Sequence, residues 1–280
     1  MRPFKISAIS FLNTVPLMWD FEHSPSPELR DNFEIAYTVP SHCAKALREG
    51  TADIGIIPVI TIAEIPGLVA LPDVAIASLN RVWSIQLIGR RPIEEIRTVA
   101  VDTSSRSSVG LLQVLLTKFF GGRRDFTPMP PLLDPMLAAC DAALLIGDSA
   151  MMARTDDLYH YDLAELWRRK TGLPFVFALW TVRRAAIEER RDHIRRSGLD
   201  LASIFRRSRD HGLEPQNVAA IAREWAPRMQ LSEEAITRYF QENIHYTFDA
   251  DCRKGLSLYF QLAAECGVIA EPPELELLND

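Results

Sequence analysis

Residues 81–91 (RVWSIQLIGRR) and residues 175–183 (FVFALWTVR) are two long strand-like segments that flank a βα unit. A chain that leaves one domain, builds a second and then returns makes two such crossovers. We therefore predict two α/β lobes with a ligand-binding cleft between them. We assign residues 1–88 plus 178–280 to the first lobe and residues 89–177 to the second.

Short apolar runs alternate with helical patterns through the first two-thirds of the chain. This alternation predicts an α/β fold with mostly parallel sheets. The last hundred residues are predicted to be helical, with one amphipathic stripe formed by Cys252, Leu256, Tyr259, Ala263 and Cys266. The predicted strands are residues 4–9, 33–39, 53–57, 69–78, 81–89, 98–102, 142–147 and 175–182.

The composition excludes several classes of protein. The chain has 280 residues, 48% of them hydrophobic, which is room for one large domain or two smaller ones. Its 31 basic and 37 acidic residues leave a net charge of −6, which argues against broad nucleic-acid binding. No apolar run approaches the roughly 18 residues of a membrane span, and the N-terminal stretch lacks the features of an export signal. We expect a cytoplasmic protein with no nucleic-acid or membrane partner.

The cysteines and histidines give no sign of a metal site. The four cysteines include no C-x-x-C pair, and neither they nor the six scattered histidines show the spacing of metal ligands. Buried free thiols are the expected state of the cysteines in a reducing compartment. We expect no metal and no organic cofactor.

The first candidate site motif is SFLNTVPLMW, residues 10–19. A predicted strand ends there, and Pro16 suits the first turn of a helix. Asn13 and Thr14 would then lie at the carboxyl end of a strand, where open α/β sheets bind ligands. The alternative is that Asn13 only caps the helix.

The second motif is VWSIQL, residues 82–87. Period-two alternation places Ser84 and Gln86 on one face of an otherwise apolar strand. Two polar groups there need partners or a cavity, so a satisfied core pair and a ligand contact remain equally open.

The third motif is AVDTSSRSSVGLLQVLL, residues 100–116, in which a strand leads into a hydroxyl-rich loop and a helix. Ser105, Ser107 and Ser108 supply hydroxyl groups, and the Arg106 guanidinium supplies several N–H donors. The helix N-terminus adds free backbone N–H groups. This combination predicts an anion site suited to a carboxylate. The alternative is a helix cap with more hydroxyls than it needs.

The fourth motif is LLIGDSAM, residues 144–151, where Gly147-Asp148 ends a buried strand. Met151 stands where the second glycine of G-x-S-x-G would be, so a hydrolase nucleophile elbow is not supported. Asp148 is equally well explained as a helix cap and as a ligand contact.

Taken together, six segments resemble the chorismate dehydratase family of the futalosine route to menaquinone. The resemblance extends from about Ile6 to about Phe260 and implies the two-lobe fold of class II periplasmic solute-binding proteins. The segments, in chain order, are SFLNTVPL, GTADIGIIP, VWSIQL, DTSSRSS, LLIGDSA and DLAELWRRKTGLPFVFALW.

The resemblance also implies an activity, the elimination of water from chorismate to give 3-(1-carboxyvinyloxy)benzoate. It points to Asn13 and Ser84 as catalytic residues. The expected substrate-binding residues are Thr14, Pro58, Gln86, Ser105, Arg106, Ser107, Ser108, Gly147 and Asp148.

Two alternatives stay open. The related dihydroxynaphthoate synthase family carries a catalytic His-Glu after the buried strand, where this chain has Gly147-Asp148, and this difference favours the dehydratase. A cytoplasmic protein that binds or senses a small carboxylate could use the same fold. The oligomeric state is open between monomer and homodimer.

The cleft motifs contain no histidine, glutamate or lysine that could act as a general base. We therefore hypothesise that the enolpyruvyl carboxylate of chorismate itself removes the ring proton. Asn13 and Ser84 would orient that carboxylate and hydrogen-bond the leaving hydroxyl.

Overall fold

A computed structural model describes residues 2–23, 25–153 and 157–278, and ten strands of these residues form two five-stranded sheets. The strands are β1 (Phe4–Ile9), β2 (Phe33–Thr38), β3 (Ile54–Pro58), β4 (Leu68–Ser78), β5 (Ile85–Gly89), β6 (Thr98–Asp102), β7 (Asp125–Met129), β8 (Ala142–Ile146), β9 (Tyr159–Asp162) and β10 (Phe175–Arg183). The first sheet has the order β2-β1-β3-β10-β4, and the second has the order β7-β6-β8-β5-β9.

Both sheets are mixed, so the expectation of mostly parallel sheets is wrong. In the first sheet β1 pairs in parallel with β2 and β3, whereas β10 is antiparallel to β3 and β4. In the second sheet β6 is parallel to β7 and β8, whereas β5 is antiparallel to β8 and β9. The reason is that β10 returns from the second sheet and inserts between two strands of the first.

The described helices and helical turns fill the intervals between the strands. The α-helices are α1 (Trp19–Glu22), α2 (Pro27–Asn32), α3 (Pro40–Arg48), α4 (Ser107–Phe119), α5 (Leu133–Ala139), α6 (Gly147–Met152), α7 (Leu163–Thr171), α8 (Arg184–Glu189), α9 (Arg191–Ser197), α10 (Leu201–Gly212), α11 (Pro215–Met229), α12 (Glu233–Arg238) and α13 (Ala250–Glu265). Leu12–Met18 and Val59–Glu64 form 3-10 turns, and Tyr239–Asn243 forms a π-helical turn.

Sequence periodicity located most elements. The helical C-terminal third is observed, and the predicted stripe on α13 is buried along its whole length. Two strands were not predicted, β7 and β9. Both lie at an edge of the second sheet, β7 contains Pro128 and β9 has only four residues, so neither carries a strong apolar pattern.

Each crossing strand belongs to one sheet. The strand predicted at residues 81–89 begins only at Ile85, where its pairing with β8 starts, and it lies wholly in the second sheet. β10 lies wholly in the first sheet. The chain therefore passes between the sheets through residues 79–84 and 163–174, and a lobe boundary at residues 88 and 178 stays a prediction.

The topology places several strand ends opposite one another. In the first sheet β1 and β3 are parallel and end on one side, and in the second sheet β6 and β8 do the same. Loops that follow these four carboxyl ends carry most of the predicted site residues. In the described part of the chain, no helix is long and apolar enough to cross a membrane.

Candidate active site

A cavity lies where the carboxyl ends of β1, β3, β6 and β8 meet. Its walls are mainly apolar, formed by Ile9, Phe11, Pro40, Pro58, Ile76, Ile85, Ile146, Phe177 and Ala178. Its polar lining comes from Asn13 on the first sheet's side and from residues 105–108 on the second sheet's side. Such a cavity suits a carbon ring that carries polar groups at two ends.

Asn13 lies on the 3-10 turn that follows β1. Phe11, with no side-chain hydrogen bond, holds the N-cap position of that turn, so Asn13 is not its cap. The Oδ1 atom of Asn13 is buried and has no hydrogen-bond partner among the described residues. Because a buried acceptor without a partner costs free energy, this atom is a candidate for contact with a ligand.

Thr14 makes structural contacts, and its role in substrate binding stays a prediction. Its hydroxyl lies 2.6 Å from the carbonyl oxygen of Ile9 and 2.7 Å from that of Phe11. These contacts fix the turn that presents Asn13. Thr14 is buried and is absent from the cavity lining.

Ser84 and Gln86 also lie outside the cavity lining, contrary to the predicted pair on one strand face. Trp83 has φ of 60°, and this left-handed residue interrupts the strand before Ile85. Gln86 donates through Nε2 to the buried carboxylate of Asp162 at 2.9 Å. Ser84 is fully buried and accepts a hydrogen bond from the Tyr239 hydroxyl at 2.8 Å.

The serine-rich loop faces the cavity at the start of α4. The Oγ atom of Ser105 is buried and has no hydrogen-bond partner among the described residues. Ser107 accepts from the backbone N–H of Ile60 at 3.3 Å, which ties α4 to the first sheet's side. No side chain among the described residues caps α4, so the hydroxyl groups of this loop do not serve as helix caps. Its N-terminal N–H groups, with Ser105 and Ser108 beside them, can receive an anion.

Arg106 lines the cavity but already has an acidic partner. One of its terminal nitrogens lies 2.7 Å from both carboxylate oxygens of Glu64, which Arg48 also contacts at 2.8 Å. The sequence shows no link between these residues, which are 42 positions apart. A substrate carboxylate would therefore compete with Glu64 for the Arg106 guanidinium.

Gly147 and Asp148 follow β8 of the second sheet and contact the turn that carries Asn13. Gly147 lines the cavity with φ of 58°, and a Cβ atom there would lie 2.7 Å from Phe11 Cδ2. Asp148 is outside the cavity lining and accepts a hydrogen bond from the backbone N–H of Leu12 at 3.1 Å. The N-cap of α6 is Ile146, so the cap explanation for Asp148 does not hold.

Burial raises the pKa of Asp148 to about 6, and the hydrogen bond from Leu12 only partly opposes this effect. Because the folded pKa is above that of the unfolded chain, the folded protein retains this proton to higher pH. The stabilisation of the fold by the protonated Asp148 carboxyl is therefore present below about pH 4 and is lost as the pH rises through about 6.

Asp148→Asn is expected to remove this pH dependence. Relative to the wild type, the variant should gain up to about 3 kcal/mol of unfolding free energy between pH 4 and pH 8, since one pKa unit corresponds to about 1.4 kcal/mol. Urea denaturation at several pH values measures the difference. The exposed Asp192→Asn is the control and should show no such trend, whereas a parallel trend in both variants would contradict the assignment.

Periodicity could not identify the Phe11 and Phe177 walls as site residues, although Phe11 lies inside the first motif. Tyr239, which contacts Ser84, had no local signal, whereas Asp162, which contacts the loop before β5, begins the sixth resembling segment but was not identified as a site residue. Each comes from an element far along the chain, and only packing brings it to the site.

One cluster of metal-ligating side chains occurs among the described residues, contrary to the sequence interpretation. Ligand atoms of His245, Asp249 and Cys252 lie within 4.8 Å of one another. Asp249 is the N-cap of α13, accepting from Cys252 N at 2.8 Å, and its other oxygen contacts His245 at 2.7 Å. Helix capping accounts for this cluster.

Two mixed sheets around a cavity built from strand ends define a protein with the periplasmic-binding-protein-like fold. The structure superimposes on a protein from Archaeoglobus fulgidus with a TM-score of 0.72 at 18% identity, covering 95% of this chain and 98% of that one. It also resembles the periplasmic aliphatic sulphonate binding protein SsuA from Escherichia coli, with a TM-score of 0.64 at 16% identity over 97% of this chain and 95% of that one. The predicted fold class is confirmed.

The chain belongs to the menaquinone biosynthesis family, whose model matches residues 4–265. It is 30% identical over 202 residues to a chorismate dehydratase from Thermus thermophilus, covering 66% of this chain and 71% of that protein. These findings confirm the family resemblance seen in the six sequence segments.

Proposed function

We propose that this chain is a chorismate dehydratase, a carbon–oxygen lyase that acts in the cytoplasm on a small-molecule substrate. The observation that carries the proposal is a pair of buried polar atoms, Asn13 Oδ1 and Ser105 Oγ, that have no partner within the described parts of the chain and belong to residues lining one cavity from its two sides. Family membership and the chorismate dehydratase relative support the same activity.

The apolar walls fit the ring of chorismate, and the polar ends fit its two carboxylates. The N-terminus of α4, with Ser105 and Ser108, would hold the ring carboxylate. The ring proton lost in the reaction is vinylogous to that carboxylate, so its removal gives an extended enolate. Hydrogen-bond donors on the ring carboxylate would stabilise the developing charge.

The lining supplies no protein base. Among the described lining residues, Arg106 is the only ionisable side chain, and the Asp148 carboxyl faces Leu12. We therefore retain the enolpyruvyl carboxylate of the substrate as the base. It takes the proton from the carbon that bears the ether, and the electron pair of that C–H bond passes into the ring as the enolate. The carboxylic acid so formed would return the proton to the neighbouring hydroxyl, which leaves as water when its C–O bond breaks. Aromatisation of the ring supplies the driving force.

Asn13 would orient the reacting end of the substrate. Its free Oδ1 can accept a hydrogen bond from the ring hydroxyl and so hold that group beside the enolpyruvyl carboxylate. Because Ser84 lies behind this lining, it would not contact the leaving hydroxyl directly, and any role it has in the reaction is indirect.

The decisive experiment mixes purified protein with chorismate alone. An aromatic product measured by absorbance and chromatography is expected, and exhaustive chelation should leave the rate unchanged. Saturable binding of chorismate without any product would instead favour the small-carboxylate binding or sensing protein. Turnover of a cyclic dihydroxynaphthoate precursor, with chorismate inert, would favour the related synthase.

Ser105→Ala is expected to raise KM for chorismate about 10-fold, the scale of one lost hydrogen bond to a charged group. Thermal stability should not fall, because the hydroxyl has no partner within the described protein to lose. Ser104→Ala is the matched control, since the Ser104 hydroxyl donates to Asp102 at 2.7 Å and lies outside the cavity lining. An unchanged KM for Ser105→Ala would remove this loop from the substrate site.

A further inference from the structure

An ion pair at the edge of the cavity joins its two sides. Arg106 holds the N-cap position of α4 and lines the cavity, whereas Glu64 ends the 3-10 turn after β3 and lies outside the lining. The Nη2 atom of Arg106 is 2.7 Å from each carboxylate oxygen of Glu64. The same two segments also meet where the N–H of Ile60 donates to Ser107 Oγ. The serine-rich loop therefore contacts the first sheet's side at two points, one of them charged.

Glu64 has a second cationic partner, and Arg106 has no second anionic one. Arg48, the last residue of α3, places Nη2 2.8 Å from Glu64 Oε2. The Arg106 side chain contacts only Glu64 among the described residues, through Nη2, so its Nε and Nη1 donors are free. The side chains of all three residues are between 37% and 46% exposed, so water screens both ion pairs and either can be exchanged at low cost.

This arrangement permits an exchange of ion pairs. A ligand carboxylate held at the N-terminus of α4 would lie beside the Arg106 guanidinium. Arg106 can turn to that carboxylate while Glu64 keeps Arg48, so every charge retains a partner. A neutral ligand offers no such exchange, because it brings no anion to replace Glu64.

We propose that Glu64 is an internal competitor for Arg106, which holds the guanidinium when no ligand is bound and gives it up to the carboxylate of the ligand. Arg48 makes the exchange possible, and the exchange makes the cavity selective for anions. This inference rests on the proposed function, because it identifies the arriving group with the ring carboxylate of chorismate. Glu64 and Arg48 then act through Arg106 and do not touch the reacting atoms.

Glu64→Gln tests the inference, since it removes the competing charge and keeps the shape of the side chain. KM for chorismate should fall about 3- to 5-fold, the scale of a half-exposed ion pair, while kcat stays within about 1.5-fold of the wild-type value. Glu49→Gln is the matched control, because Glu49 is a half-exposed carboxylate that pairs with Lys45 and lies outside the lining. An unchanged or raised KM in Glu64→Gln, or an equal fall in both variants, would overturn the inference.

A double-variant comparison separates exchange from simple repulsion of the substrate. If Glu64 only repelled the substrate, its neutralisation would lower KM with or without Arg106. In an Arg106→Gln background, Glu64→Gln should instead change KM by less than about 1.5-fold, because no guanidinium is left to release. A further fall of about 3- to 5-fold in that background would place the action of Glu64 elsewhere and overturn the inference.

Arg48→Gln gives an independent test in the opposite direction. Without Arg48, Glu64 has only Arg106 as a cationic partner among the described residues and should hold it more firmly. KM should rise about 3-fold while kcat stays near that of the wild type. Arg195→Gln is the control, since Arg195 is exposed and pairs with Asp192 on α9. An unchanged or lowered KM in Arg48→Gln would contradict the exchange.

Failure of the proposed function is distinguished by two probes that do not react, benzoate and benzamide. NMR titration of the protein should show that Glu64→Gln binds benzoate about 3- to 5-fold more tightly than the wild type, with benzamide binding unchanged. If the wild type does not turn over chorismate but this difference occurs, the dehydratase assignment fails and the exchange stands. Turnover of chorismate together with equal benzoate affinities, or with no saturable benzoate binding to either protein, would overturn the exchange alone.

Discussion

Asn13→Ala is expected to lower kcat on chorismate by about two to three powers of ten, the scale for one positioned transition-state contact. KM should change much less, because the carboxylate contacts of the α4 N-terminus remain. The free energy of unfolding should fall by no more than about 2 kcal/mol, because the side-chain Oδ1 has no hydrogen-bond partner among the described residues to lose. Steady-state kinetics with thermal unfolding measure both effects, and Asn243→Ala outside the cavity is the control.

Asn13→Asp separates two possible roles of this position. Aspartate keeps the shape of the side chain but places a negative charge beside a substrate with two carboxylates. If Asn13 orients the substrate, repulsion should make this variant as slow as Asn13→Ala. If the position needs a base, aspartate should match or exceed the wild-type rate. The second result would overturn the role of the substrate as its own base.

Gly147→Ala is expected to lower kcat/KM by about 100-fold, because displacements of about 1 Å at an active site can have effects of this size. The new Cβ would lie 2.7 Å from Phe11 Cδ2 and push that ring into the cavity. The φ of 58° adds strain of roughly 1–2 kcal/mol for a residue with a Cβ atom. Both stability and activity should therefore fall.

Gly172→Ala is the matched control for this prediction. Gly172 has φ of 74° at the end of α7, and a Cβ there would meet no atom within 4 Å. Its backbone strain is comparable, so its loss of stability should be similar while kcat/KM stays near that of the wild type. Equal catalytic losses in both variants would show that strain, and not the Phe11 wall, is responsible.

The amino-acid sequence was sufficient for the fold class and for part of the site. Apolar periodicity located eight of the ten described strands and the C-terminal helices, because it depends on neighbours in the chain. Of the residues predicted for the site, Asn13, Pro58, Gly147 and residues 105–108 line the cavity, and their roles in binding and catalysis stay predictions. In these cases the chemistry and the backbone position are both local properties.

Tertiary structure decided the roles of the remaining polar residues. Ser84 and Gln86 were expected on one strand face, but the left-handed Trp83 precedes a strand that begins only at Ile85. Ser84 therefore lies before the strand and bonds to Tyr239, whereas Gln86 lies within it and bonds to Asp162. A side-chain hydroxyl or amide is compatible with many partners, and the sequence around it does not say which is near.

The same reason explains the distant pairs. Arg106 contacts Glu64 across 42 residues, and Tyr239 contacts Ser84 across 155. Such contacts form only when separate elements pack together, and the free energy that selects them comes from burial of the whole interface between the elements. The sequence by itself located several of the residues that line the cavity, whereas only the packing of distant elements decided its other walls and which of its described polar atoms remain without a partner.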